Sequence, residues 1–238
     1  MKLPTTRLHG PDIYLVGVPG PAKTALAKDL DTYFLKRAES GDDTAIPWYP
    51  PDLISGAAGK ILGEQKNRMA RALPIEPYIV RAIQNSILWA QHSVEREALL
   101  MGGLSWLVCD GSGVEPIVYL ERYAPDETPG ARGLADTEVW LELRDRMRES
   151  LVVVTEELVG SPEAARWRSE ALGTDEDRSG LSGLAEDLKD LAGFHGAVRE
   201  FLERQGIGFV VFPAELKESR DAVKWVVETW KEKKAPAH

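Results

Sequence analysis

From Asp12 to Leu30 the chain reads DIYLVGVPGPAKTALAKDL. An apolar run at Ile13 to Val16 meets a Gly/Pro-rich turn, then Lys23-Thr24, then a stretch in which Leu26, Leu30, Tyr33 and Phe34 recur at helical spacing. That order predicts a strand, a phosphate loop and a helix.

In such a loop, successive backbone N–H groups and the positive end of the following helix surround a phosphate. The lysine reaches the outer oxygens and the hydroxyl holds Mg²⁺. The pattern is G-x-x-x-x-G-K-[ST]. Here Gly17 to Thr24 read GVPGPAKT, so Ala22 stands where the second glycine belongs. Alanine costs roughly 1–2 kcal/mol where positive φ is needed, and little if Ala22 already has the helical backbone of a residue entering the helix. Pro19 and Pro21 each remove an N–H donor, which weakens the anion-binding device. The residues expected to bind a nucleotide are Gly17, Gly20, Ala22, Lys23, Thr24 and Ala25.

A chain of 238 residues with 43% hydrophobic content can bury one substantial core, so one domain is expected over 1–238. A lid is expected in the polar stretch 157–193, where Arg166, Arg168 and Arg178 are candidate lid arginines beside the blander reading of a solvated charge cluster. The net charge of −9 argues against nucleic acid as a partner, because phosphate backbones select a basic face. No run is long enough to cross a membrane and no apolar signal segment opens the sequence, which predicts a cytoplasmic protein without a membrane partner. The single cysteine, Cys109, lies in the apolar SWLVCD and reads as a buried, inert thiol. The histidines show no metal-ligand spacing with one another or with Cys109.

Further along, Ala45 to Tyr49 reads as a second strand ending at Pro50-Pro51-Asp52, and Tyr78 to Leu100 as a long helix stopped at Gly102-Gly103. Leu104 to Asp110 is continuously apolar, as a strand buried on both faces should be, and ends in an acid. An aspartate there points into the crevice where parallel sheets bind ligands, although it also suits a helix cap. Ser112 to Tyr123 and Thr137 to Glu149 read as helices, the second capped by Asp136. Leu151 to Thr155 and Gly206 to Pro213 read as strands, and Phe194 to Gln205 and Asp221 to Lys231 as the last helices. Strands alternating with helices predict a three-layer α/β sandwich around a mostly parallel sheet.

The stretch Asp110-Gly111-Ser112-Gly113-Val114-Glu115-Pro116-Ile117-Val118-Tyr119, taken with the phosphate loop, Gln84 to Gln91, Ile207 to Pro213 and the Trp230 helix, resembles the AAA-type ATPase-like domains related to nicotinamide riboside kinase, abundant as short fungal proteins. The motif of that family is D-R-S-x-x-D-P-x-x-Y. The resemblance implies a P-loop kinase-like fold in which Lys23 and Thr24 serve the phosphates of ATP and Mg²⁺, and Asp110 serves the metal or the acceptor site. Asp52 is the implied acceptor-site base. Gly111 stands in place of the family's arginine, whose charge would assist phosphoryl transfer, and Glu115 replaces its aspartate, in a role that is expected to be local structure.

Three functions follow as expectations. The first is ATP-dependent phosphorylation of a small hydroxyl acceptor by Lys23, Asp110 and Asp52, with Mg²⁺ on Thr24 and Asp110. The second is a nucleotide-binding module or slow NTPase without kinase activity. The third is a degenerate loop protein acting as a scaffold or binding another ligand, for which Pro21, Ala22 and Gly111 speak.

Overall fold

The computed structural model describes residues 11–18, 21–40, 49–57, 60–61, 77–102, 106–123, 131–155, 191–213, 215–216 and 219–234. The expected lid arginines, Pro19, Gly20 and most of the expected strand at 45–49 lie outside these residues. So does the lid stretch itself, apart from its last three residues, 191–193.

Five short strands form one parallel sheet: β1 (Ile13–Val16), β2 (Asp52–Ile54), β3 (Leu107–Asp110), β4 (Leu151–Val154) and β5 (Phe209–Val211), in the order β2-β3-β1-β4-β5. Seven helices are described around it: α1 (Pro21–Ser40), α2 (Pro77–Gly102), α3 (Val114–Tyr123), α4 (Ala131–Ala135), α5 (Glu138–Arg148), α6 (Leu191–Arg204) and α7 (Ser219–Lys234).

Alternate residues of the continuous apolar strands serve opposite faces. Ile13 and Leu15 of β1 join Val108, Leu151 and Val153 in a core closed by α1 and α7. Tyr14 and Val16 join Cys109, Val152 and Val154 in a core closed by α2 to α6. The architecture is the three-layer α/β sandwich that the strand pattern predicts. The large aromatics belong to these cores. Phe34 meets Trp106 edge-on at 4.7 Å between centroids, and Trp106 stacks on Trp230 at 5.0 Å. The buried indole N–H groups of Trp106, Trp140 and Trp230 donate to Tyr49 O, Gln205 Oε1 and Pro11 O, so burying them strands no donor.

Two local expectations change. Among the described residues a strand begins after the prolines: Asp52 N donates to Trp106 O at 2.8 Å, the first sheet bond available once Pro50 and Pro51, which lack an N–H, have passed. Helix α5 is capped by Thr137, not Asp136. Thr137 has extended backbone, and its hydroxyl accepts from Trp140 N, while Asp136 is exposed in the preceding turn.

One buried polar group ties the layers together. Glu95 of α2 is fully buried and accepts from Tyr14 Oη and Gln91 Nε2, both at 2.7 Å, while pairing with Arg146 of α5. Burial pushes its carboxyl pKa up, and Arg146 and the two hydrogen bonds oppose that rise.

Candidate phosphate and metal site

The strand order decides where a ligand can enter. From β1 the chain leaves into α1 on one face, and from the adjacent β3 it leaves into α3 on the other. Among the described residues, no connection therefore covers the crevice between the carboxyl ends of β1 and β3, the place where open parallel sheets bind ligands.

Lys23, Thr24 and Asp110 meet there. Thr24 Oγ1 donates to Asp110 Oδ2 at 2.5 Å. Lys23, only 4% exposed, donates to Gly17 O at 3.1 Å and Glu115 Oε1 at 3.3 Å, and its ammonium is 3.9 Å from Asp110 Oδ1. That distance exceeds hydrogen-bond reach, and Asp110 Oδ1 is buried without a hydrogen-bond partner among the described residues.

Glu115 belongs to this site as well as to its helix. Its Oε2 accepts from the N–H and hydroxyl of Ser112, and the Ser112 hydroxyl in turn accepts from Val114 N. Ser112 and Glu115 thus cap α3 reciprocally. The other oxygen, Oε1, accepts from Gly17 N at 3.2 Å and from Lys23. One carboxylate therefore fixes the turn after β3 to the loop after β1.

Ala22 lies within α1, so its backbone is helical and the steric objection to alanine falls away. Pro21 is the first residue of α1, where a missing N–H breaks no intrahelical bond but does subtract one donor from the helix end. Gly17 needs to be glycine twice over: φ is +144°, and a Cβ would lie 2.9 Å from Thr155 Oγ1. Gly111 has φ +120°, so an arginine in that place would strain the backbone. Ala25 is exposed in the first turns of α1.

Asp52 is not part of this constellation. It opens β2 opposite Leu107, three residues before Asp110 on the neighbouring strand, which is roughly 10 Å towards the amino end of the sheet. There it lines an open cleft with Val94, Glu97 and Met101 of α2. Asp31 has its pKa raised first by burial and then by the charge of Asp52. The acceptor-site base expected at Asp52 is therefore absent from the crevice.

His195 of α6, by contrast, arrives there unannounced by any spacing signal. It is 5% exposed, its Nε2 has no hydrogen-bond partner among the described residues, and that atom lies 3.8 Å from where a Cβ on Gly17 would sit. Burial, then Arg199 and Lys23, lower its pKa to about 4, so the ring is neutral at pH 7. Cys109 is fully buried next to Asp110, and burial first, then nearby carboxylates, push its thiol pKa up, as expected of an inert core cysteine.

Among the described residues, no group of three or more His, Cys, Asp or Glu is arranged to hold a metal by itself, and no helix is long and apolar enough to cross a membrane. Compared with known proteins, the chain matches no family model, and no curated protein matches it.

Proposed function

We propose that this chain is a P-loop kinase-like protein that binds ATP with Mg²⁺ on the loop after β1 and transfers the terminal phosphoryl group to a small hydroxyl acceptor in the β1/β3 crevice. The observation that carries this reading is the meeting of Lys23, Thr24 and Asp110 at two adjacent strand ends, with Thr24 and Asp110 in direct contact.

The donor set fits Mg²⁺. This ion takes one or two protein oxygens and completes its shell with water and substrate phosphate, so a hydroxyl beside a carboxylate is enough without a larger acidic cluster. Thr24 Oγ1 and Asp110 would hold it, and the buried, unpartnered Oδ1 is an oxygen still in need of a partner. Charge points the same way: two carboxylates around one ammonium leave the cluster one charge negative, which disfavours a bare phosphate and accommodates a metal-bound one. Bound there, Mg²⁺ would neutralise charge on the phosphoryl oxygens.

The chain's own groups supply the rest. Lys23 is positioned to turn from Glu115 towards a β- or γ-phosphate, and the N–H groups of the first turn of α1 face the anion. Glu115 keeps the loop and the β3–α3 turn in register while Lys23 moves.

A second reading, nucleotide binding without transfer to an acceptor, is favoured by the crevice lacking both the Asp52 base and an arginine at Gly111. Following ³¹P resonances of Mg-ATP with the protein and a mixture of nucleosides and polyols separates the two. A phosphomonoester signal growing as ADP forms is the expected result. ADP with inorganic phosphate alone, or intact ATP bound without turnover, gives the second reading instead.

A further inference from the structure

We infer that His195 is a further ligand-contacting residue of this site, its Nε2 donating a hydrogen bond to a phosphoryl oxygen of the bound nucleotide. The inference rests on the nucleotide reading above and goes beyond it, since neither the loop pattern nor the strand-end aspartate involves α6.

The geometry is that of a polar atom held for a partner that the described residues do not supply. His195 lies more than nine-tenths buried, and Nε2 makes no hydrogen bond. A buried polar group left unsatisfied costs roughly 1–3 kcal/mol, so such a group persists where another molecule satisfies it or where function requires it. Its surroundings are the loop and not a remote part of the core. Gly17 follows β1, Thr155 follows β4 with its hydroxyl on Val16 O, and Lys23 acts on the ring from α1.

The charge around the ring selects the ligand chemistry. The charged groups that shift its pKa are cations, Arg199 from α6 itself and Lys23 from α1, while the Glu115 carboxylate is held beside it by Gly17 N and Lys23. Cations on two sides disfavour protonation in the free protein. An arriving polyanion reverses that balance, because phosphoryl oxygens accept from N–H and favour a charged ring. Binding of the nucleotide and protonation of His195 therefore assist one another. A neutral hydroxyl acceptor would offer no such coupling.

Two-dimensional NMR of the full chain labelled with [¹⁵N]histidine follows the ring directly, with H195Q used to assign its signals. The probe is a slowly hydrolysed Mg-ATP analogue, titrated calorimetrically in parallel against the intact protein, H195Q and K23A. In the free protein the ring should titrate near pH 4. In the complex its midpoint should rise by about two pH units, and affinity relative to H195Q should then increase about eightfold between pH 6.5 and 5. Binding that K23A abolishes, with the His195 signals and their midpoint unchanged, would overturn the inference and leave the nucleotide reading standing. A ring that gains a hydrogen bond as acceptor, without a raised midpoint, would overturn it in favour of contact with a hydroxyl. No binding to the intact protein would overturn both. If H195Q folds poorly, backbone-to-ring correlations in the unmodified chain assign the His195 signals, and the ring measurement still decides.

Discussion

The hydroxyl of Thr24 donates to Asp110 Oδ2 at 2.5 Å, joining the first turn of α1 to the last residue of β3. These residues are 86 positions apart in sequence and are brought together because β1 and β3 are neighbours in the sheet. The pair sets the expected metal dependence. Thr24→Val and Asp110→Asn should each remove most of the gain in ATP affinity that Mg²⁺ provides, about tenfold or ~1.4 kcal/mol. Calorimetric titrations with Mg²⁺ and with a chelator measure that gain, and an undiminished gain in both variants would separate the pair from the metal.

Glu115 carries a second expectation. Glu115→Ala removes the reciprocal cap of α3 and leaves the buried Lys23 with Gly17 O and the more distant Asp110. A loss of about 2–4 kcal/mol is expected in urea unfolding, from the cap and the broken buried pair together. Glu115→Gln keeps the shape and part of the cap, so it should lose less. Equal stability of all three proteins would mean that Glu115 does not brace the site.

Gly17 and Ala22 should both lose stability when substituted, Gly17 the more. Gly17→Ala meets Thr155 Oγ1 and a positive φ, and should lower stability by about 1–3 kcal/mol. Ala22→Gly, which restores the motif, should lower stability by up to about 1 kcal/mol because Ala22 sits in helix α1, with ATP affinity changed by less than about threefold. Thermal melts and ATP titrations of both variants check this. A large gain in affinity for Ala22→Gly would show that the alanine does impede the phosphate.

His195 makes stability depend on pH in a definite direction. Its folded pKa of about 4 lies below the ordinary 6.5, so between these values the unfolded chain binds more protons. The contribution is fully present above pH 6.5 and is lost as pH falls to 4, by about 3 kcal/mol in total. Glu95, with its raised pKa, acts in the opposite sense over acid pH, so the difference between the intact protein and H195Q isolates the histidine. Urea unfolding at pH 7, 5.5 and 4.5 should show H195Q losing less stability than the intact protein as pH falls.

Much of this arrangement is legible in the sequence because it rests on local patterns. Ile13 to Val16 and Leu151 to Val154 are apolar without alternation, which announces strands buried on both faces, and Lys23, Thr24 and Asp110 sit at strand ends that such patterns locate. Glu115 is readable as a cap partner three residues after Ser112, but its hold on Gly17 and Lys23 depends on the strand order. Asp52 is placed by the two prolines before it: the described sheet takes up the residues just after them, so Asp52 opens β2 instead of following a strand. His195 carries no spacing signal, and of the Glu95 group only the i,i+4 contact with Gln91 is local, since Tyr14 and Arg146 reach Glu95 through helix packing against the sheet.

The most direct test of the nucleotide reading is a calorimetric titration of the full chain with ATP and Mg²⁺ beside Lys23→Ala. Saturable binding to the intact protein is expected, weakened at least about a hundredfold, or ~2.7 kcal/mol, when the buried ammonium is removed. Absence of binding to the intact protein, or equal binding by the variant, would contradict it.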